Sequence, residues 1–105
     1  MALIGQSHVA CYFSRPTEDS TIEETIGEVA TAGTVLEMAD GRWLVNPGSV
    51  GQPRDGDPRA AWLMLDTEAW TVRFHRVEYP VEEAARAIVE AGLPRQLADR
   101  LFAGH

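Results

Sequence analysis

Gly5-Gln6-Ser7-His8 closes a short apolar run and places an imidazole beside a glycine turn. Imidazole is a good ligand for Zn, Mn or Fe. Gln6 and His8 stand two apart, so an extended backbone points both side chains the same way. One His and one Gln do not complete a metal site, which takes three or four protein ligands; the alternative is a structural or exposed His8. The second candidate is the run Asn46-Pro47-Gly48-Ser49-Val50-Gly51-Gln52-Pro53-Arg54-Asp55-Gly56-Asp57-Pro58. Gly opens backbone conformations closed to other residues and Pro fixes them, so such a loop holds a ligand or a neighbouring segment, or is a rigid turn cluster joining two strands.

Within that loop Gly48-Ser49-Val50-Gly51 has neither the P-loop nor the dinucleotide glycine pattern, and Ser49 lacks the surroundings of a nucleophile elbow. Asp55 and Asp57 lack the further oxygen donors of a calcium loop and read as turn carboxylates. Arg54 and Arg59 either steady a phosphate or, the stronger reading, pair with Asp55, Asp57 and Asp66. His75 and His105 have no carboxylate or Cys at metal-ligand spacing. Trp43, Trp62 and Trp70 read as core and rim packing, since no basic residues interleave with them as in a base-stacking platform.

Composition narrows the classes. In 105 residues there are 9 Lys plus Arg against 16 Asp plus Glu, a net charge of -7, which argues against a nucleic-acid surface and against polybasic attachment to lipid. A hydrophobic fraction of 45% is that of a folded chain, here a single domain or part of one. Cys11 is alone, which excludes an intrachain disulfide and reads as a buried thiol in a reducing compartment. No apolar run approaches the roughly 20 residues of a membrane span, so the expected location is the cytoplasm.

The elements that must position these residues are mostly strands followed by two helices. Ala2-Leu3-Ile4 and Val9 to Phe13 read as strands, and Ser14 to Asp19 as exposed loop. Ser20 and Glu23 match a capping box, with Ile22, Ile26 and Val29 on one helical face; the alternative there is an irregular surface excursion. Val35 to Met38 and Trp43 to Val45 flank Asp40-Gly41, a hairpin signal. Ala60 to Leu65 is apolar on both faces and should be a central strand. Asp66 to Ala69 is a turn, and Trp70 to Val77 alternates, with Val72 and Phe74 opposite Arg73 and His75. Val81, Ala84, Ala85, Ile88 and Ala91 form the stripe of a helix that Gly92 ends, and Leu93-Pro94 opens a second through Leu97 and Leu101. A doubly apolar strand with helices only at one end of the chain implies a covering layer from another copy, another chain or an absent N-terminal part.

From Gly5 onward the chain resembles the C-terminal part of the calcineurin-like metallophosphoesterases, of the small bacterial phosphodiesterase type. The stretch Trp43 to Arg59 carries the resemblance, with the tail from Val77-Glu78-Tyr79 to Ala91-Gly92-Leu93-Pro94. Gly5-Gln6-Ser7-His8 stands in the place of the family's GHTH or GHSH motif. The resemblance implies an α+β chain forming the C-terminal portion of a four-layer α/β/β/α sandwich, with residues 1–105 as one incomplete domain. It implies a pair of divalent metals such as Mn, Zn, Fe or Ni, with His8 as a ligand and Gln6 where the family has its other His. An amide oxygen binds transition metals more weakly than imidazole, so Gln6 would impair one position. Asn46, Gly48, Ser49 and Arg54 would form the loop beside the site. The family's Asp-x-His, Gly-Asp and Gly-Asn-His segments precede GHTH and are not in this sequence. The expected function is therefore the C-terminal segment of a metal-dependent phosphodiesterase, inactive alone and completed by an N-terminal half in cis. The alternatives are a non-catalytic dimeric interaction protein and one half of an enzyme split in trans.

Overall fold

The computed structural model describes residues 1–5, 7–16, 25–38 and 40–105. Among the described residues seven strands precede two helices: β1 (Ala2–Leu3), β2 (Cys11–Arg15), β3 (Ile26–Val29), β4 (Val35–Glu37), β5 (Arg42–Asn46), β6 (Ala60–Asp66), β7 (Thr71–Val77), α1 (Val81–Glu90) and α2 (Arg95–Ala103). One sheet runs β1-β5-β2-β3 and the other β4-β7-β6. Among the described strands only β1 and β5 pair in parallel, and the other pairings are antiparallel.

Alternation decides which faces meet. In β7, Val72 and Phe74 are buried and Arg73 is exposed, as the period-two pattern predicts. They pack with Leu36, Val45, Met38, Ala10 and Ala30, and against Tyr12, Trp43, Leu63 and Leu65, so the core lies between the two sheets. Tyr12 bridges the layers, its ring 6.1 Å from Trp43 and 6.5 Å from Phe74. Its hydroxyl donates to Glu28 at 2.6 Å; that bond, with burial and the nearby charge, raises the phenol above its ordinary value.

Three expectations are corrected. Val35 to Met38 and Trp43 to Val45 do not form a hairpin: β4 pairs with β7, while β5 pairs with β1 and β2. The Asp40-Gly41 turn instead carries the chain from one sheet to the other. Gly41 has φ +79°, and a side chain there would collide with the carbonyl of Arg15. Ile26 to Val29 is strand β3 rather than helix, because Ile26, Gly27, Glu28 and Val29 find ladder partners on β2. Ser20, Ile22 and Glu23, the proposed start of that helix, lie outside the described residues. Finally, β6 is an edge strand among the described residues, paired with β7 alone.

The helices form where the apolar stripes place them. Pro80 precedes α1, Glu82 and Glu83 favour its N-terminal dipole, and the helix ends in a Schellman motif. Leu93 N–H donates to Ile88 at 3.3 Å and Gly92 N–H to Val89 at 3.1 Å, with Gly92 at φ +78°. Ala85, Ala98 and Leu101, with Val81, Ala84 and Ile88, form a separate apolar cluster between α1 and α2. No helix among the described residues is long and apolar enough to cross a membrane.

Candidate functional site

The backbone of His8 sits at φ +61°, a left-handed conformation that is costly for a residue with a β-carbon. Two bonds to the glycine- and proline-rich loop hold it there. Arg54 N–H donates to the His8 carbonyl at 2.9 Å, and His8 Nδ1 lies 2.8 Å from the Gln52 carbonyl oxygen. A carbonyl only accepts, so Nδ1 must carry the proton, and in the neutral ring Nε2 then carries the lone pair. The loop therefore fixes both the conformation and the tautomer of His8.

The loop is held in turn from behind. Asn46, the end of β5, is 1% exposed; its amide donates to Ser7 Oγ at 2.6 Å, and its Oδ1 accepts from Gly48 N–H at 2.9 Å. Gly48 has φ +94°, and a β-carbon there would approach that of Ala61 to 2.8 Å, so the close passage over β6 requires glycine. Ser49 Oγ accepts from Gln52 N–H at 2.8 Å and Gly51 N–H at 3.2 Å, while its carbonyl accepts from Ala61 N–H at 2.9 Å. These are the hydrogen bonds of a turn, and Ser49 is no nucleophile in them. Thus His8, Asn46, Gly48, Ser49 and the backbone of Arg54 converge. Gln6, the other candidate ligand, lies outside the described residues.

The charged residues sort differently. Arg54 is exposed and reaches only Gln52 Oε1, at 3.4 Å. Arg59 grips Asp57 through Nε at 3.0 Å and Nη2 at 2.8 Å. The Arg59 side chain hydrogen bond is the main cause that holds the Asp57 carboxyl below its ordinary range, against a smaller opposing effect of burial. Asp55 is no ordinary turn carboxylate. It forms an ion pair with Arg76 in which both side chains are buried, 9% and 4% exposed. Sequence reasoning missed Arg76, although alternation along β7 puts it on the face of Val72 and Phe74, where a guanidinium must find partners.

The remaining candidates are elsewhere. His75 stacks on Trp62, rings 4.3 Å apart, and the His105 carbonyl accepts from Arg100 at 2.9 Å. Among the described residues no three His, Cys, Asp or Glu side chains come together in a group able to hold a metal. His8, whose Nε2 has no hydrogen-bond partner among the described residues, fits as one metal ligand, and those residues do not complete a donor set around it.

No protein-family model matches the chain. An uncharacterized protein of Methanocaldococcus jannaschii is 45% identical over 72 residues, which cover 69% of this chain and 30% of that protein. A crystal structure of a metallophosphoesterase from Sphaerobacter thermophilus superposes with a TM-score of 0.89 at 42% identity, covering 98% of this chain and 42% of that one. The chain thus spans less than half the length of either relative. It has an α+β architecture and is a C-terminal part of the metallophosphoesterase fold.

Proposed function

We propose that this chain is the C-terminal segment of a metal-dependent phosphoesterase, of the phosphodiesterase type, and that it does not hydrolyse phosphoesters by itself. The observation that carries the reading is His8, strapped to the loop through Nδ1 with Nε2 left for a cation. The likeness to a metallophosphoesterase over 98% of the chain supports it. In the whole protein the two sheets would be the inner layers of a four-layer sandwich, and the ligands not found among the described residues would come from the preceding part. When bound, divalent cations such as Mn, Zn, Fe or Ni would polarise the phosphoryl group and make water nucleophilic near neutral pH. His8 contributes an oriented imidazole, and Asn46, Gly48 and Ser49 keep the loop behind it rigid. Arg54, exposed at the loop, would make an outer contact.

Completion in cis, or in trans by a separate chain, accounts for the apolar surface left open on the described strands. Self-association through that surface is the second reading. The exposed Phe13, Val29, Trp62 and Met64 favour both over a free-standing monomer. The test is hydrolysis of a nitrophenyl phosphodiester by the purified chain with Mn2+. Turnover should not exceed that of His8→Ala. Turnover that is lost in His8→Ala would overturn the claim that the chain is inactive alone.

A further inference from the structure

The buried Arg76 does more than neutralise one carboxylate. Its guanidinium faces the back of the loop that straps His8. Nη2 pairs with Asp55 Oδ2, and Nη1 donates to the carbonyls of Arg59 at 3.2 Å and Asp57 at 3.4 Å. Nε lies 3.9 Å from Oδ2 of the Asp57 carboxylate, which Arg59 also holds. One side chain on β7 thus meets the loop at Asp55, Asp57 and Arg59. Asp55 directly follows Arg54, whose amide holds the His8 carbonyl, and stands three residues from Gln52, whose carbonyl holds the ring. A planar guanidinium suits this task because its donors leave in fixed directions, whereas an ammonium is a point charge.

We infer that Arg76 is a positioning residue for His8: by anchoring the Asp55–Arg59 segment it fixes the Gln52–Arg54 strap, and the strap holds the ring with Nδ1 protonated and Nε2 open. Arg76 touches no reacting atom and acts only through the loop. The inference rests on the proposed role of His8 toward a cation, because only that role gives the open Nε2 a use.

The experiment reads the ring itself. Long-range 1H–15N spectra of the 105-residue chain, at about pH 9 where an ordinary imidazole is neutral, distinguish the two tautomers of His8. The expected result is a single Nδ1–H form in the native chain. In Arg76→Met it becomes a mixture of both forms, with the Gln52 and Arg54 amides shifted and the β6–β7 ladder intact. Arg76→Lys should recover the preference only in part. Should Arg76→Met fail to fold, Asp55→Asn carries the test, since it keeps the shape of the loop and removes the charge that Arg76 grips. A purely structural Arg76 would lower the melting temperature of either variant and leave His8 in its native tautomer; that outcome overturns the inference. The spectra need neither metal nor substrate. An unmoved tautomer would leave the phosphoesterase reading standing, and failure of that reading would leave the tautomer result intact.

Discussion

His8 shows at the scale of one residue how a site stores strain. A side chain at φ +61° costs about 1–2 kcal/mol, and such conformations persist where neighbours over-determine them, as the Arg54 amide and Gln52 carbonyl do here. His8→Ala keeps the strain and loses the ring bond, whereas His8→Gly loses both. His8→Gly should therefore be the more stable variant by about 1 kcal/mol in urea denaturation; the reverse order would mean that the conformation is not strained. Asp57 gives a second prediction. Its folded carboxyl titrates below the ordinary value, chiefly through the Arg59 hydrogen bond, so its contribution is complete above the ordinary carboxylate value of 3.8. The contribution is lost as pH falls through the lower folded value. Asp57→Asn should accordingly be less stable than the native chain at neutral pH, with the gap closing as pH drops below about 4. A gap that stays constant with pH would show that the ion pair contributes nothing. The pairing of Arg59 was legible in the sequence from its proximity to Asp57; that of Arg76 with Asp55 was not, because the partners stand 21 residues apart.

The elements most legible in the sequence were those whose pattern is local. The stripe of α1, its stop at Gly92 and the alternation of β7 each need only neighbouring residues to be read. Misreadings fell where a distant partner decides. Asp40-Gly41 has the chemistry of a tight hairpin, yet β4 and β5 belong to different sheets: β4 finds its partner in β7, more than thirty residues on, and β5 finds its partners in β1 and β2. Ile26 to Val29 lies on a helical spacing but pairs as β3, where Gly27 faces the Phe13 ring and leaves no room for a β-carbon. The loop from Asn46 to Pro58 was legible as a constrained segment, but the sequence did not reveal that its bonds converge on His8. Gly48 is the point where element packing and the site meet. Gly48→Ala adds a β-carbon into Ala61 and Ala10 at a left-handed backbone, a loss of about 2–4 kcal/mol. Thermal denaturation should show it, together with faster exchange of the Ala61 amide that Ser49 holds. An unchanged melting temperature would mean that the loop rides free of β6.

The whole molecule measures 52 × 28 × 17 Å, with a radius of gyration of 16.2 Å where a compact domain of this length has about 13 Å. Its accessible surface of 6851 Å² exceeds the roughly 5,800 Å² expected for a folded monomer of its size. Apolar residues occupy the open faces of both sheets, including Phe13 and Val29 on one and Trp62 and Met64 on the other. At this scale the prediction is association: sedimentation of the chain at rising concentration should show species heavier than the monomer, and a strictly monomeric, well-folded chain would count against a partner for these faces. The doubly apolar run of β6 stood out in the sequence as wanting cover, though the sequence did not show that this run forms an edge. Cys11 supplies a gauge of that coverage. Alternation along β2 turns Tyr12 into the core and places Cys11 with Phe13 on the outward face. Whatever settles on that face will shield the chain's one thiol, so the rate at which a small alkylating agent consumes Cys11 becomes a chemical footprint of the covering layer.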